Sequence, residues 1–423
     1  MNKRQLLITL LILVLPVALF ASGAQEGGEE VDSLTVYWNA NHYYEAYQAV
    51  FDAFEEEKGI TIDVQNFAWP DMRTKLLTDF SGGTAPDLIE VPAPWVAEFG
   101  SKQLLLDITD RVESWPESDD WLDGAWPEVT VDGSIYGMKL HHTCFGFFYN
   151  KDLLREAGLP AEAPSDLLEF QEYVSVIADE LGPEIQGFGF DQDAGYVLNF
   201  IMSDDVDTLI DNGEIAINTP EVREALAILQ EVATSEEVLL AEPGASYQST
   251  RRAFIDGKVA MMISGPWDIA NLASNAPDMD YGIAMVPHLS EVRNPRVLVA
   301  GTAVTMPADS RAPDLVWELI QRLTALETEL AATEEAGMLM PRKSWAQDPT
   351  VQNTPKVSDF AQILPSASTF DLAASRMGIS DIMWSGGGGE LTMQFYQKLI
   401  YGRAPAEEAL SEYVSRANRQ IPN

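Results

Sequence analysis

From Leu34 onward the chain alternates short apolar runs with amphipathic ones, joined by connections of only a few residues. Residues 34–38 read as a buried strand. Residues 44–58 read as an amphipathic helix with Ala46, Val50, Ala53 and Phe54 on its inner side, stopped by Gly59. A second strand alternates through Ile60, Ile62 and Val64. Residues 70–80 form a helix ended by Gly82 and Gly83. Residues 87–91 form a third strand, followed by a helical turn at 95–99. Strand–helix–strand–helix–strand with short links is the sequence form of an α/β domain built on a largely parallel sheet. Such sheets hold ligands beyond the carboxyl ends of their strands. Trp38, Asn39, Asn41, Trp69 and residues 91–95 fall at those ends.

After Tyr136 the pattern restarts. Residues 145–149 read as a strand, 151–157 and 165–181 as helices, and Thr219-Pro220 as a helix start with threonine as N-cap and proline at the first helical position. Residues 259–263 are a wholly apolar strand ending in Ser264-Gly265-Pro266-Trp267, and 281–286 and 297–306 are further extended runs. Residues 313–332 read as one long helix with Trp317 in its core face, and helices at 391–401 and 406–420 close the chain. The pattern therefore predicts two α/β units and no solenoid repeat.

Composition narrows what such a chain does. Hydrophobic residues make up 46% and aromatics 9%, which excludes general disorder. There are 66 acidic against 26 basic residues, a net charge of −40, so phosphate backbones and anionic membrane surfaces are repelled and nucleic acid is excluded as a partner. The acids are spread along the whole chain, the pattern of a solvated surface rather than of one cation-steering cleft. The lone cysteine, Cys144, sits in an apolar stretch and reads as a buried, inert thiol.

The first residues carry an address. Lys3 and Arg4 precede an apolar run from Leu6 to Phe20, and small residues follow at Ala21, Ser22, Gly23 and Ala24, the order of a secretory signal peptide over residues 1–24. The run is shorter than the ~20 residues that span a bilayer. Ser22 stands where a lipoprotein would carry its acylated cysteine. The expected product is a periplasmic protein without a lipid anchor.

No catalytic constellation emerges. Gly386 to Gly389 are followed by Glu390-Leu391 and not by the Lys-Ser/Thr pair of a phosphate loop. There is no Gly-x-Ser-x-Gly elbow. His141 and His142 are adjacent and would point to opposite faces of a strand, so they do not readily share a metal. Neither a cofactor nor a metal is implied.

Several segments, taken in order, resemble the extracellular solute-binding proteins of bacterial ABC importers, in the sugar-binding group that includes the maltose-binding protein. Residues 49–60 (AVFDAFEEEKGI) resemble the family's first helix running into its second strand, and 82–89 (GGTAPDLI) its glycine turn and third strand. Residues 135–138 (IYGM) with 149–153 (YNKDL) resemble its passage into the second lobe. Phe254, Gly257-Lys258-Val259-Ala260-Met261-Met262 and Gly265-Pro266-Trp267 resemble its most recognisable late motif. His141-His142 and Ser22 depart from the common pattern.

The resemblance implies a two-lobed periplasmic-binding-protein fold with the ligand in a cleft between lobes and several hinge crossings. Residues 32–141 plus 302–338 would form one lobe and 142–301 plus 339–423 the other. It implies a monomer that carries a small carbohydrate to ABC permease subunits. Sugars offer C–H faces to flat rings and hydroxyls to polar groups. On that logic Trp267 is the foremost ligand candidate, joined by Trp38, Asn39, Asn41 and His42 after the first strand. Trp69, Trp95, His142, Thr143, Asp191, Tyr196, Arg376 and Trp384 complete the expected set. A polyamine, a glycerophosphate or a glycan-acting enzyme on the same scaffold are the competing expectations.

Overall fold

The computed structural model describes residues 31–242, 248–385 and 388–422. The expected signal peptide lies outside the described residues, and so do Gly386 and Gly387. No helix among the described residues is long and apolar enough to cross a membrane.

The chain opens with β1 (Ser33–Asn39), α1 (Glu45–Lys58), β2 (Thr61–Phe67), α2 (Trp69–Gly82), β3 (Leu88–Pro92) and α3 (Ala93–Ser101). Gly59 ends α1 in the left-handed conformation at φ 66°, its N–H closing on the Glu55 carbonyl at 2.8 Å; a side chain there would cost backbone strain. The helix is turned from the expected phase: Tyr47, Phe51 and Phe54 are its buried residues and Ala53 is exposed. The three rings bury more apolar surface than the alanines and valine, and so set the rotation of the helix.

Two five-stranded sheets organise the molecule into two lobes. In the first, β2, β1 and β3 run parallel, Thr302–Thr305 adds antiparallel to β3, and Met138–Lys139 antiparallel to Thr302–Thr305 in turn. The second orders Val238–Leu240, Gln186–Phe190, Val259–Ser264, Gly146–Asn150 and Tyr281–Ala284; Gly146–Asn150 is antiparallel to both of its neighbours. Both sheets are therefore mixed rather than largely parallel, each with one reversed strand, Thr302–Thr305 in the first and Gly146–Asn150 in the second.

Two long runs are divided. The extended stretch 297–306 breaks at Gly301, φ 126°: Val297–Ala300 pairs with Thr143–Cys144, while Thr302–Thr305 joins the first sheet. The predicted helix 313–332 is two helices, Pro313–Leu323 and Leu326–Ala336, because the Thr324 hydroxyl turns back to the Ile320 carbonyl and Ala325 is extended. Trp317 is buried, edge-on to Trp115 at 5.7 Å.

Between the sheets, segments of chain lie side by side. Leu140 N–H donates to the Thr302 carbonyl at 2.8 Å, and His142 N–H to the Leu339 carbonyl at 3.0 Å. His141 thus stands where the links between the sheets gather.

Candidate functional site

The carboxyl ends of β1, β2 and β3 form one wall. In β3 the otherwise apolar sequence Leu88-Ile89-Glu90-Val91 carries one acid, buried on both faces of the sheet. Glu90 Oε2 accepts the Asn39 N–H at 2.9 Å, and Oε1 lies 2.7 Å from His42 Nδ1, so this carboxylate folds the loop after β1 back onto the strand. Asn39 Oδ1 accepts the Asn41 N–H at 2.9 Å, and its buried Nδ2 has no acceptor in the protein. The His42 ring packs edge-on to Trp69 at 5.5 Å and to His141 at 5.2 Å. His141 is itself held at both nitrogens, Nε2 by the Tyr47 hydroxyl and Nδ1 by Thr302 Oγ1, each at 2.8 Å. Burial holds its pKa well below the usual imidazole range, with His42 and Lys139 adding to the effect.

The second wall grows from the end of Val259–Ser264. Trp267 is half-buried and lies back over Gly265, where a Cβ would stand 2.3 Å from the indole ring. Only glycine permits that approach. Phe145 is edge-on to Trp267 at 5.5 Å and to Tyr196 at 5.2 Å, which gives three rings in one cluster. The next residue, Asp268, is fully buried; it accepts from the Ser264 hydroxyl and from Asn271 Nδ2, and pairs with Arg251 Nε at 2.5 Å. Asp191 is buried with Oδ1 unpartnered, and burial pushes its carboxyl up to about 7, with Asp193 and Asp268 contributing against an opposing hydrogen bond and Arg251.

Tyr44 packs on the first wall, its ring 5.8 Å from Tyr47 and 6.1 Å from His42. Burial raises its hydroxyl well above the ordinary tyrosine range, with Glu90, Glu335 and Asp268 adding and Arg251 opposing.

The expected ligand residues divide by position. Asn39, His42 and half-buried Trp69 belong to the first wall; Trp267, Tyr196 and Asp191 belong to the second, and Asn41 is exposed beside Asn39. Trp38 is fully buried, packs on Tyr47 and Phe51, and donates its Nε1–H to the His42 carbonyl at 2.9 Å, so it shapes the loop from beneath. Trp384 is fully buried, with Nε1–H on the Tyr413 hydroxyl at 3.0 Å. Trp95 is buried under Arg73 and edge-on to Trp69 at 6.1 Å. His142 and Thr143 are buried at the crossing, with His142 Nδ1 and Thr143 Oγ1 unpartnered. The exposed guanidinium of Arg376 binds the carbonyls of Pro127 and Thr130 at 2.9 and 3.1 Å.

Tyr44, Glu90, Phe145, Arg251 and Asp268 were not among the expected residues. Glu90 alone left a signal in the sequence, a charge in a strand apolar on both faces.

A family model described as a bacterial extracellular solute-binding protein matches residues 49–359. The galactooligosaccharide-binding protein of Bacillus subtilis is 24% identical, over 98% of this chain and 96% of that one. Among solved structures, the GacH receptor of Streptomyces glaucescens, studied unliganded and with acarbose, superposes with a TM-score of 0.80 at 20% identity, covering 92% of this chain and 98% of that one. An ABC transporter solute-binding protein from Thermotoga lettingae, bound with α-D-tagatose, gives 0.78 at 23% identity, covering 92% and 100%.

Proposed function

Since the chain belongs to the bacterial extracellular solute-binding proteins, we propose that it is the substrate-binding component of an ABC importer and that its ligand is a neutral sugar or short oligosaccharide. One observation carries this reading: the second wall presents the aromatic cluster Phe145–Tyr196–Trp267, and the buried acids Glu90 and Asp268 of the two walls already have partners within the protein. Glu90 is engaged by His42 and Asn39, and Asp268 by Arg251 and Ser264. A polyamine would need several cleft carboxylates without internal partners, whereas of Glu90, Asp191 and Asp268, Asp191 alone has an unpartnered oxygen, and a glycerophosphate would need a cation not already paired to an acid. A polyol needs flat rings for its C–H faces and polar atoms for its hydroxyls. Half-buried Trp267 supplies the first; Asn39 Nδ2 and Asp191 Oδ1, both buried and unpartnered, supply the second. The oligosaccharide-binding relative and the sugar-bound neighbours support the same class.

Within this reading the chain is a binder and not an enzyme, works as a monomer with membrane permease subunits, and is exported by cleavage of residues 1–24 without lipid attachment. Its lobes divide at residues 141/142, 301/302 and 338/339. A thermal-shift screen against mono- and oligosaccharides tests the function, because a ligand that binds only the folded state raises its melting temperature. The expected result is a rise with at least one neutral sugar and none with spermidine or glycerol phosphate; the reverse pattern refutes the proposal. Intact mass of protein from the cell envelope tests export. A species beginning near Gln25 is expected, and one carrying acyl chains contradicts it.

A further inference from the structure

We propose that His42, Glu90 and His141 form a site for a first-row divalent transition metal, Zn2+ foremost, in the first wall of the cleft. The three come from separate stretches of chain, the loop after β1, the middle of β3 and the link that follows Met138–Lys139. They bring one ligand atom each to within 4.8 Å of the others, and all three are buried. His42 Nδ1 is 2.7 Å and His141 Nδ1 4.0 Å from the same Glu90 oxygen, Oε1. Ligands bound to Zn2+ at about 2.0–2.1 Å in tetrahedral geometry stand roughly 3.3 Å apart. The two spacings bracket that value, and side-chain shifts of under about an ångström convert one arrangement into the other.

The donor set selects the metal. Two imidazoles and one carboxylate suit Zn2+ and its neighbours, whereas Mg2+ and Ca2+ prefer oxygen ligands throughout. Three protein ligands leave a fourth position for water or a hydroxyl.

The surroundings are those of a supported site. With Nε2–H of His141 donating to the Tyr47 hydroxyl at 2.8 Å, Nδ1 presents its lone pair, which the Thr302 hydroxyl caps at 2.8 Å. An outer hydrogen bond that fixes the tautomer is the usual support of a metal-ligating histidine. Glu90 is oriented in the same way: Oε2 takes the Asn39 N–H, and Oε1 is turned to the two histidines. Metal binding exchanges the Thr302 cap and the His42–Glu90 contact for coordination bonds. His142 is not among the three grouped side chains.

The site lies on one wall alone, so its occupancy is independent of the sugar reading. The test uses the full mature chain, stripped with EDTA and titrated with Zn2+ by calorimetry in excess Mg2+, which saturates surface carboxylates. One Zn2+ per chain is expected, with a rise in melting temperature and, on Co2+ substitution, the visible bands of a four-coordinate nitrogen–oxygen site. His42→Gln, Glu90→Gln and His141→Gln should each weaken Zn2+ about tenfold or more. Their melting temperatures in EDTA report folding, and His42→Gln, on the loop after β1, decides the matter if Glu90→Gln and His141→Gln do not fold. Absence of stoichiometric Zn2+ binding by the wild-type chain, or unchanged binding in His42→Gln, overturns the proposal.

Discussion

His141 and Gly301 pass so closely that a Cβ on the glycine would stand 2.0 Å from the histidine's carbonyl oxygen. Gly301 also has φ 126°, a conformation that L side chains rarely adopt. Gly301→Ala should therefore cost about 3 kcal/mol or more, from clash and strain together. Gly59→Ala is the control, because its φ of 66° is also positive but no atom lies within 4 Å of its Cβ; it should cost only about 1 kcal/mol. Urea midpoints measure both. Equal losses would mean that the contact between the crossings contributes nothing.

Trp267 and Trp317 should separate binding from stability. Trp267→Ala removes one wall ring and should weaken sugar binding by roughly 1–3 kcal/mol, about five- to 150-fold, at nearly constant melting temperature. Trp317→Ala leaves a hole against Trp115 and should cost about 3–5 kcal/mol of stability. Titration calorimetry and thermal melts on both variants give the comparison. Unchanged affinity in Trp267→Ala would assign that ring to packing.

Asp191 should make stability fall as pH rises. Its folded pKa of about 7 lies above the ordinary 3.8, so between those values the folded state holds a proton that the unfolded state has released. Proton linkage then lowers stability through that window by up to roughly 1.4 kcal/mol per pH unit, with no further change below the lower value or above the higher. An amide at this position cannot titrate, so the stability of Asp191→Asn relative to wild type should grow from about pH 4 to pH 7. Parallel curves for the two proteins would refute a buried, protonated Asp191.

Ligand binding should close the lobes. Contacts made to both walls are complete only when the walls meet, so sugar shifts the balance toward the closed form. Small-angle scattering with saturating sugar should show a radius of gyration smaller by about 1 Å. An unchanged curve would indicate a rigid cleft or a site on one wall only.

The alternation of strand and helix was legible from the first few dozen residues because periodicity reports which face is buried. Helix stops at Gly59 and the Thr219 cap, whose Oγ1 accepts the Val222 N–H at 3.2 Å, were equally local and equally readable. Information that depends on distant chain was not. Nothing near Gly301 announces that residues on its two sides join different sheets. Nothing near Trp38 or Trp384 distinguishes a ring on a wall from one behind it, since both uses want an aromatic at a strand end or loop. The phase of α1 depended on which apolar residues won the inside, and the larger rings did. Asp268 and Arg251 find each other only after the second sheet is assembled.

The pairing of Glu90 with Val304 has a consequence in time as well as in space. A ribosome delivers the first three strands early, but their fourth neighbour arrives only after about 200 further residues. Until then β3 keeps an open edge, and the acid that anchors the His42 loop lies on a strand with one flank unfilled. Folding of the first lobe must therefore wait on synthesis of most of the second.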